Sequence, residues 1–178
     1  RSKQLYTPYS VTEPYIVSHG GSSFGSASFS PKTELVYITG KNGAISLNVE
    51  PLGDSLRPGP GGQGHDENFS TLDRISEDYA PALTVSAYRP ADGEQVWQAE
   101  LPAQSSIGAS GNLVTAGNLV FQGIEDGGFY ALDAEDGETL FRFQTPRQIR
   151  ASPLSYAVEG KQYVTVVSTN TVVTLALP

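Results

Sequence analysis

The sequence predicts an all-β fold, a partial β-propeller of about three four-stranded antiparallel blades. Three observations predict it: an internal repeat of 44 residues, apolar or alternating runs punctuated by Gly, Asn and Asp, and no sustained i, i+3, i+4, i+7 apolar stripe. Nineteen glycines and twelve prolines, with frequent Val, Tyr, Phe and Thr, suit short strands joined by turns.

The repeat is read directly. Residues 87–97 are AYRPADGEQVW and residues 131–141 are ALDAEDGETLF, with Ala, Asp, Gly and Glu in register. NLVFQGI at 118–124 corresponds to QYVTVVS at 162–168, and FYALDA at 129–134 to VTLALP at 173–178. A period of about 40 to 45 residues is the size of a four-stranded propeller blade.

The best-defined blade covers 110–144, with strands expected near 112–116, 118–124, 128–133 and 138–144 and turns at 125–128 and 134–137. Asp92-Gly93, Asp126-Gly127 and Asp136-Gly137 suit the turns, since glycine accepts positive φ and aspartate can accept a nearby backbone N–H. An earlier blade begins near Phe24 with FGSASFSP and TELVYITG, but Leu35 and its counterpart Leu119 lie 84 residues apart, about one period too many. The surplus is placed at 50–82, where PLGDSLRPGPGGQGHDENFS is rich in Gly, Pro and polar residues and is expected to form an exposed loop within the first blade. The last repeat, 151–178, has three strand candidates, and the whole of 1–178 reads as one partial propeller.

Composition excludes several functions. A net charge of −8, from 19 acidic and 11 basic residues, argues against a nucleic-acid partner, whose affinity rests on Lys and Arg. The acidic groups at Asp92, Asp126 and Asp136 sit in turns and read as a solvated surface. Without cysteine there is no disulfide, thiolate nucleophile or cysteine metal site. No apolar run approaches a membrane span, and the opening on Arg1 in a chain without methionine reads as an excerpt or processed piece. His19 and His65 lack the paired spacing of a zinc site, and His65-Asp66-Glu67 are adjacent residues that rarely converge on one ion, so no metal residue is assigned. PGPGGQGH lacks the Gly-Lys-Ser/Thr ending of a phosphate loop, and no Ser/His/Asp triad or other catalytic residue is assigned.

GNLVTAGNLVFQGIEDGGFYALDAEDGETLFRFQTP, then SPLSYAVEGKQYVTVVS, resembles the pyrroloquinoline quinone (PQQ)-dependent alcohol and glucose dehydrogenases over 105–170. Upstream, GGSSFGSASFSPKTELVYITG at 20–40 is similar to that family's Gly-Gly segment and the hairpin after it. The resemblance implies the C-terminal blades of an eight-bladed quinoprotein propeller. In the full-length protein, PQQ with calcium or a lanthanide would oxidise an alcohol or an aldose in the periplasm and pass electrons to a cytochrome or quinone acceptor. The family's catalytic aspartate and metal carboxylates lie largely N-terminal to this region, so the chain alone is expected to be inactive and to need the remaining propeller blades as partners.

The repeated A-x-x-x-x-D-G-E-x-x-W pattern is similar to the family's tryptophan-docking motif: Trp97 keeps the indole, and Phe141 is expected to keep the burial but lose the N–H. Cofactor contact is sought where one blade's outermost strand returns to the next blade's inner strand, at Gly20 to Phe24, Ala109 to Asn112 and Ile149 to Ala151. The family shows Gly-Gly-x-Asn-Trp at the first return, where this chain has Ser23 and Phe24. It shows Trp-Gly-Gly at the second, where this chain has Ala109, Ser110 and Gly111. The cofactor-binding positions so implied are Ser23, Ser110, Gly111, Asn112 and Arg150, the last as a guanidinium able to pair with a quinone carboxylate. The competing expectation is a quinone-free propeller acting as a protein-interaction scaffold, which shares the docking repeats.

Overall fold

A computed structural model describes residues 15–18, 22, 25–42, 44–51, 69–75, 82–102 and 110–176. Every regular element among them is a strand: β1 (Tyr15–Ser18), β2 (Ser28–Ser30), β3 (Leu35–Asn42), β4 (Ala44–Pro51), β5 (Phe69–Ile75), β6 (Ala82–Tyr88), β7 (Gln95–Pro102), β8 (Asn112–Val114), β9 (Leu119–Gly123), β10 (Gly128–Asp133), β11 (Thr139–Gln144), β12 (Leu154–Val158), β13 (Lys161–Ser168) and β14 (Thr171–Ala176). They form antiparallel sheets in the orders β2-β3-β6-β7, β8-β9-β10-β11, β12-β13-β14 and β1-β4-β5. The chain divides into two units, Arg1–Gly20 with Gly43–Ala80, and Gly21–Asn42 with Pro81–Pro178.

The smaller unit corrects one expectation. Composition predicts an exposed loop at 50–82, yet β5 lies inside that segment and pairs with β4 from Ile45↔Ile75 to Pro51↔Phe69. The composition of that segment is dominated by the Gly/Pro stretch at 58–64, which lies outside the described residues. At 69–75 a paired neighbour satisfies the backbone groups, and this outweighs a weak local strand pattern.

In the larger unit the 44-residue period is a physical repeat. Both β-bulges, at Ala87/Tyr88 in the β6–β7 pairing and Ala131/Leu132 in the β10–β11 pairing, fall at equivalent positions. The turns after them match bond for bond. Arg89 N donates to Glu94 O and Gly93 N to Arg89 O, both at 2.8 Å, while Asp133 N donates to Glu138 O at 2.8 Å and Gly137 N to Asp133 O at 3.0 Å. Asp92 Oδ1 accepts from Glu94 N at 3.0 Å and Asp136 Oδ1 from Glu138 N at 2.9 Å, with Gly93 and Gly137 at φ of +77° and +80°. The Asp-Gly-Glu triplet builds this turn: aspartate caps an N–H and glycine takes the left-handed residue.

The sheet β8–β11 is the middle layer of this unit. Val120, Ile124, Tyr130 and Leu132 pack with Leu35, Tyr37, Val85 and Trp97 of the preceding sheet, and Phe121, Phe129 and Ala131 pack with Val164 and Val166 of the following one. A sheet buried on both faces needs near-continuous apolar strands, as in LVFQG and GFYALD.

Trp97 locks the first junction. It is 9% exposed, donates its indole N–H to Ala134 O at 3.1 Å, and lies against the Gly137 turn of the next sheet. Phe141 departs from the expected ring burial, being 45% exposed. The platform for Trp97 is the β10–β11 turn, whereas the sheet β12–β14 has three strands and no such turn among the described residues. Among the described residues no such turn lies opposite the Phe141 ring.

Candidate functional site: the meeting of the returns

The connections that lead into β2, β8 and β12 converge on Gly111. A Cβ built there would stand 2.2 Å from Ser152 Oγ, 2.6 Å from Ser26 N and 3.0 Å from Ser26 O. Only glycine lets the Ser26 backbone and the Ser152 hydroxyl come this close. Asn112 N donates to Ser26 O at 3.2 Å, tying the second return to the first. Ser23, the expected residue of the first return, lies outside the described residues; Ser26 makes the contact.

Ser110 and Asn112 turn their side chains inward and are saturated there. Asn112 Nδ2 donates to Tyr37 O at 3.1 Å and to Thr39 Oγ1 at 3.0 Å, and its Oδ1 accepts from Ser28 Oγ. Thr39 Oγ1 donates to Gln122 Oε1 at 2.5 Å. Gln122 Nε2 donates to Ser110 Oγ at 2.9 Å and to Gly123 O at 2.6 Å, and Ser110 Oγ donates to the same carbonyl at 2.6 Å. All of Thr39, Ser110, Asn112 and Gln122 are buried, so this chain of bonds satisfies polar groups that would otherwise be costly. It joins the inner strands of adjacent sheets and holds the second return in place.

The third return is pinned to the β9–β10 turn. Ile149 N donates to Ile124 O at 3.2 Å, and Thr145 donates to Gly127 O from its N at 2.9 Å and its Oγ1 at 2.8 Å. Ile149 also fills the space a side chain at Gly123 would need. Arg150 follows, 61% exposed, with Nε 3.2 Å from Oε1 of Glu125, whose side chain is only 8% exposed. Neither oxygen of that carboxylate has an aligned hydrogen bond, so the contact is an ion pair and not a directed bond. Burial pushes the Lys41 ammonium below its usual range, and the Glu125 charge draws it partly back. Glu125 thus interacts with two cations, Arg150 by direct contact and Lys41 by its charge.

The described residues bring Ser110, Gly111 and Asn112 together with the return that carries Arg150. Sequence reasoning missed Ser26, Ser152, Thr39, Gln122 and Glu125. Gln122 carried a signal, a long polar side chain in the middle of an apolar strand, which in a buried position must have partners. Glu125 carried none, because a glutamate beside Asp-Gly looks like any solvated turn residue. Among the described residues no group of three or more metal-ligating side chains occurs.

Residues 104–164 match the family described as glucose/ethanol/alcohol dehydrogenase, β-propeller domain. The chain is 31% identical over 151 residues to the quinohemoprotein alcohol dehydrogenase of Comamonas testosteroni, covering 83% of this chain and 21% of that protein. The crystal structure of that enzyme superposes with a TM-score of 0.59 over 82% of this chain and 22% of its own. A 1-butanol dehydrogenase (cytochrome c) of Thauera butanivorans is 33% identical over 144 residues, covering 79% of this chain and 20% of that protein. A europium-containing methanol dehydrogenase superposes with a TM-score of 0.55 at 25% identity, over 80% of this chain and 24% of that one. The chain spans about a fifth of the length of the curated relatives it matches. Over most of its length the chain is therefore similar in sequence and fold to part of the β-propeller of PQQ-dependent alcohol dehydrogenases.

Proposed function

We propose that the chain is the C-terminal part of the propeller of a periplasmic PQQ-dependent dehydrogenase that oxidises an alcohol, with a cytochrome or quinone as electron acceptor and calcium or a lanthanide beside the cofactor. The observation that carries the reading is the convergence of three returns at Gly111 within a sequence whose relatives are quinone-dependent alcohol dehydrogenases. Alcohol is preferred over aldose because the relatives' names specify alcohols.

The residues present fit one part of such a cofactor. PQQ carries carboxylates, and when bound it supplies the two-electron acceptor for alcohol oxidation. Arg150 is an exposed guanidinium at the returns, suited to one of those carboxylates. Ser110 and Asn112, with their polar groups spent inside, would shape the wall without direct side-chain contact, and Gly111 keeps it compact. Ser23 completes the proposed set from the first return. The inward saturation of Ser110 and Asn112 is also what a quinone-free scaffold would show, which keeps that second reading in view.

The deciding experiment uses the full-length protein that carries this chain. Reconstituted with PQQ and calcium or a lanthanide, it should reduce an artificial dye with 1-butanol or ethanol faster than with glucose. Faster turnover of glucose would overturn the alcohol assignment, and failure to bind the quinone would favour the scaffold.

A further inference from the structure

We infer that Glu125 is a positioning residue: its buried carboxylate holds the Nε side of Arg150 where the returns meet, leaving the terminal nitrogens as a receptor for a planar carboxylate. The inference deepens the proposed function, since the natural carboxylate would be one of the quinone's.

The geometry starts from the turn that carries Glu125. Ile124 N donates to Gly128 O at 2.9 Å, Gly127 N to Ile124 O at 3.0 Å, and Gly128 N to Asp126 Oδ1 at 2.7 Å, so the turn is held from within. The return before Arg150 hangs on the same residue through Ile149 N and Ile124 O. The backbones that carry the carboxylate and the guanidinium are therefore tied to each other, which limits how far the two side chains must reach to meet.

Burying a carboxylate without aligned hydrogen bonds is unfavourable unless opposite charge compensates it. A pair serving only the turn would cost less with the carboxylate in water. Here the acid is buried and the base exposed, the reverse of an incidental surface pair. Arg150 has no other polar partner among the described residues, so its terminal N–H groups remain open to a ligand. A guanidinium is planar and binds a carboxylate with two parallel bonds, and orienting one edge therefore orients the other. With Lys41 also coupled to Glu125 by charge, the three charges sum to +1, so an incoming anion is still attracted.

The test compares wild type, E125Q, E125D, R150A and the E125Q/R150A double variant of the full-length protein. Quinone affinity is followed by fluorescence titration, protection of Arg150 from phenylglyoxal by quinone or oxalate is mapped by peptide mass, and thermal unfolding controls for folding. Losing one charge-assisted contact corresponds to about a tenfold effect. E125Q should weaken quinone affinity and oxalate protection by that factor, E125D should restore most of both, and E125Q should add nothing in the R150A background. Wild-type affinity and protection in E125Q, or additive losses in the double variant, would overturn the positioning role. If wild type binds no quinone but oxalate protects Arg150 in a Glu125-dependent way, the quinone reading fails and the carboxylate receptor stands. If neither oxalate nor quinone protects Arg150, the receptor itself is refuted.

Discussion

The indole N–H of Trp97 and the phenol of Tyr37 share one acceptor, the Ala134 carbonyl, at 3.1 and 2.9 Å. The two rings come from one sheet and the carbonyl from the next, with ring centroids 5.7 Å apart. Thr33 donates to the Tyr37 oxygen, since the phenol's single proton is spent on Ala134. Trp97→Ala should cost about 3 to 5 kcal/mol, as expected for a large buried ring, and Trp97→Phe about 1 kcal/mol for the lost hydrogen bond. Phe141→Ala, at an equivalent but exposed position, should cost less than about 1 kcal/mol. Urea unfolding of the three variants measures this, and equal costs at 97 and 141 would refute the docking account.

Gly93 and Gly137 have the same turn geometry but different surroundings. An alanine at 93 would meet nothing within 4 Å, so its cost is the left-handed backbone alone, about 1 to 2 kcal/mol. At 137 the added Cβ would stand 2.6 Å from Cε3 of Trp97, adding about 1 to 3 kcal/mol of overpacking. Gly137→Ala should therefore be clearly the more destabilising in the same denaturant experiment, and near-ultraviolet circular dichroism should report the displaced indole.

Asn112 connects Ser28, the Tyr37 carbonyl and Thr39, all on the neighbouring sheet. Asn112→Ala leaves the part-buried Ser28 hydroxyl and the buried Tyr37 carbonyl and Thr39 hydroxyl each short of a partner and should cost about 1 to 3 kcal/mol. Gln122→Leu should cost a similar amount. A double-mutant cycle between them should be non-additive, because Thr39 bonds to both. Additive losses would show that the two side chains act separately.

Tyr130 offers a different case, a buried hydroxyl without a hydrogen-bond partner and with Arg142 lying 5.5 Å over its ring. Burial raises its pKa above the ordinary 10.0, an effect partly offset by Arg142, and burial likewise raises that of Tyr37. For an acid raised in the folded state, the stabilisation is complete below the unfolded pKa and is lost as pH climbs through the folded value. Tyr130→Phe should be neutral or stabilising by up to about 1 kcal/mol at pH 7, since it removes a desolvated hydroxyl and keeps the ring. It should also flatten the fall in thermal midpoint above pH 10. A marked loss of stability at pH 7 would mean that the hydroxyl has a partner after all.

Much of the fold was legible because the chemistry that encodes it is local. Asp92-Gly93-Glu94 and Asp136-Gly137-Glu138 specify a turn within six residues, and the strands that follow inherit their register from it. The candidate site was less legible. Ser110 and Asn112 were picked out by position in the repeat, but their inward orientation depends on Gln122 and Thr39, which come from different sheets. Phe141 shows the same limit, since its exposure depends on what lies opposite it, where the described residues hold no docking turn, and not on anything in its own segment.

The sequence by itself determined an all-β repeat with a 44-residue period, its turn positions and the aromatic at 97, because backbone preference and side-chain alternation act over a few residues. Only the tertiary structure decided that Ser26 and Ser152 meet at Gly111, that β5 is a strand, and that Glu125 is buried beside Arg150. Those outcomes are separations between segments remote in sequence, and close packing of neighbouring sheets, which no short stretch of chain contains, sets them.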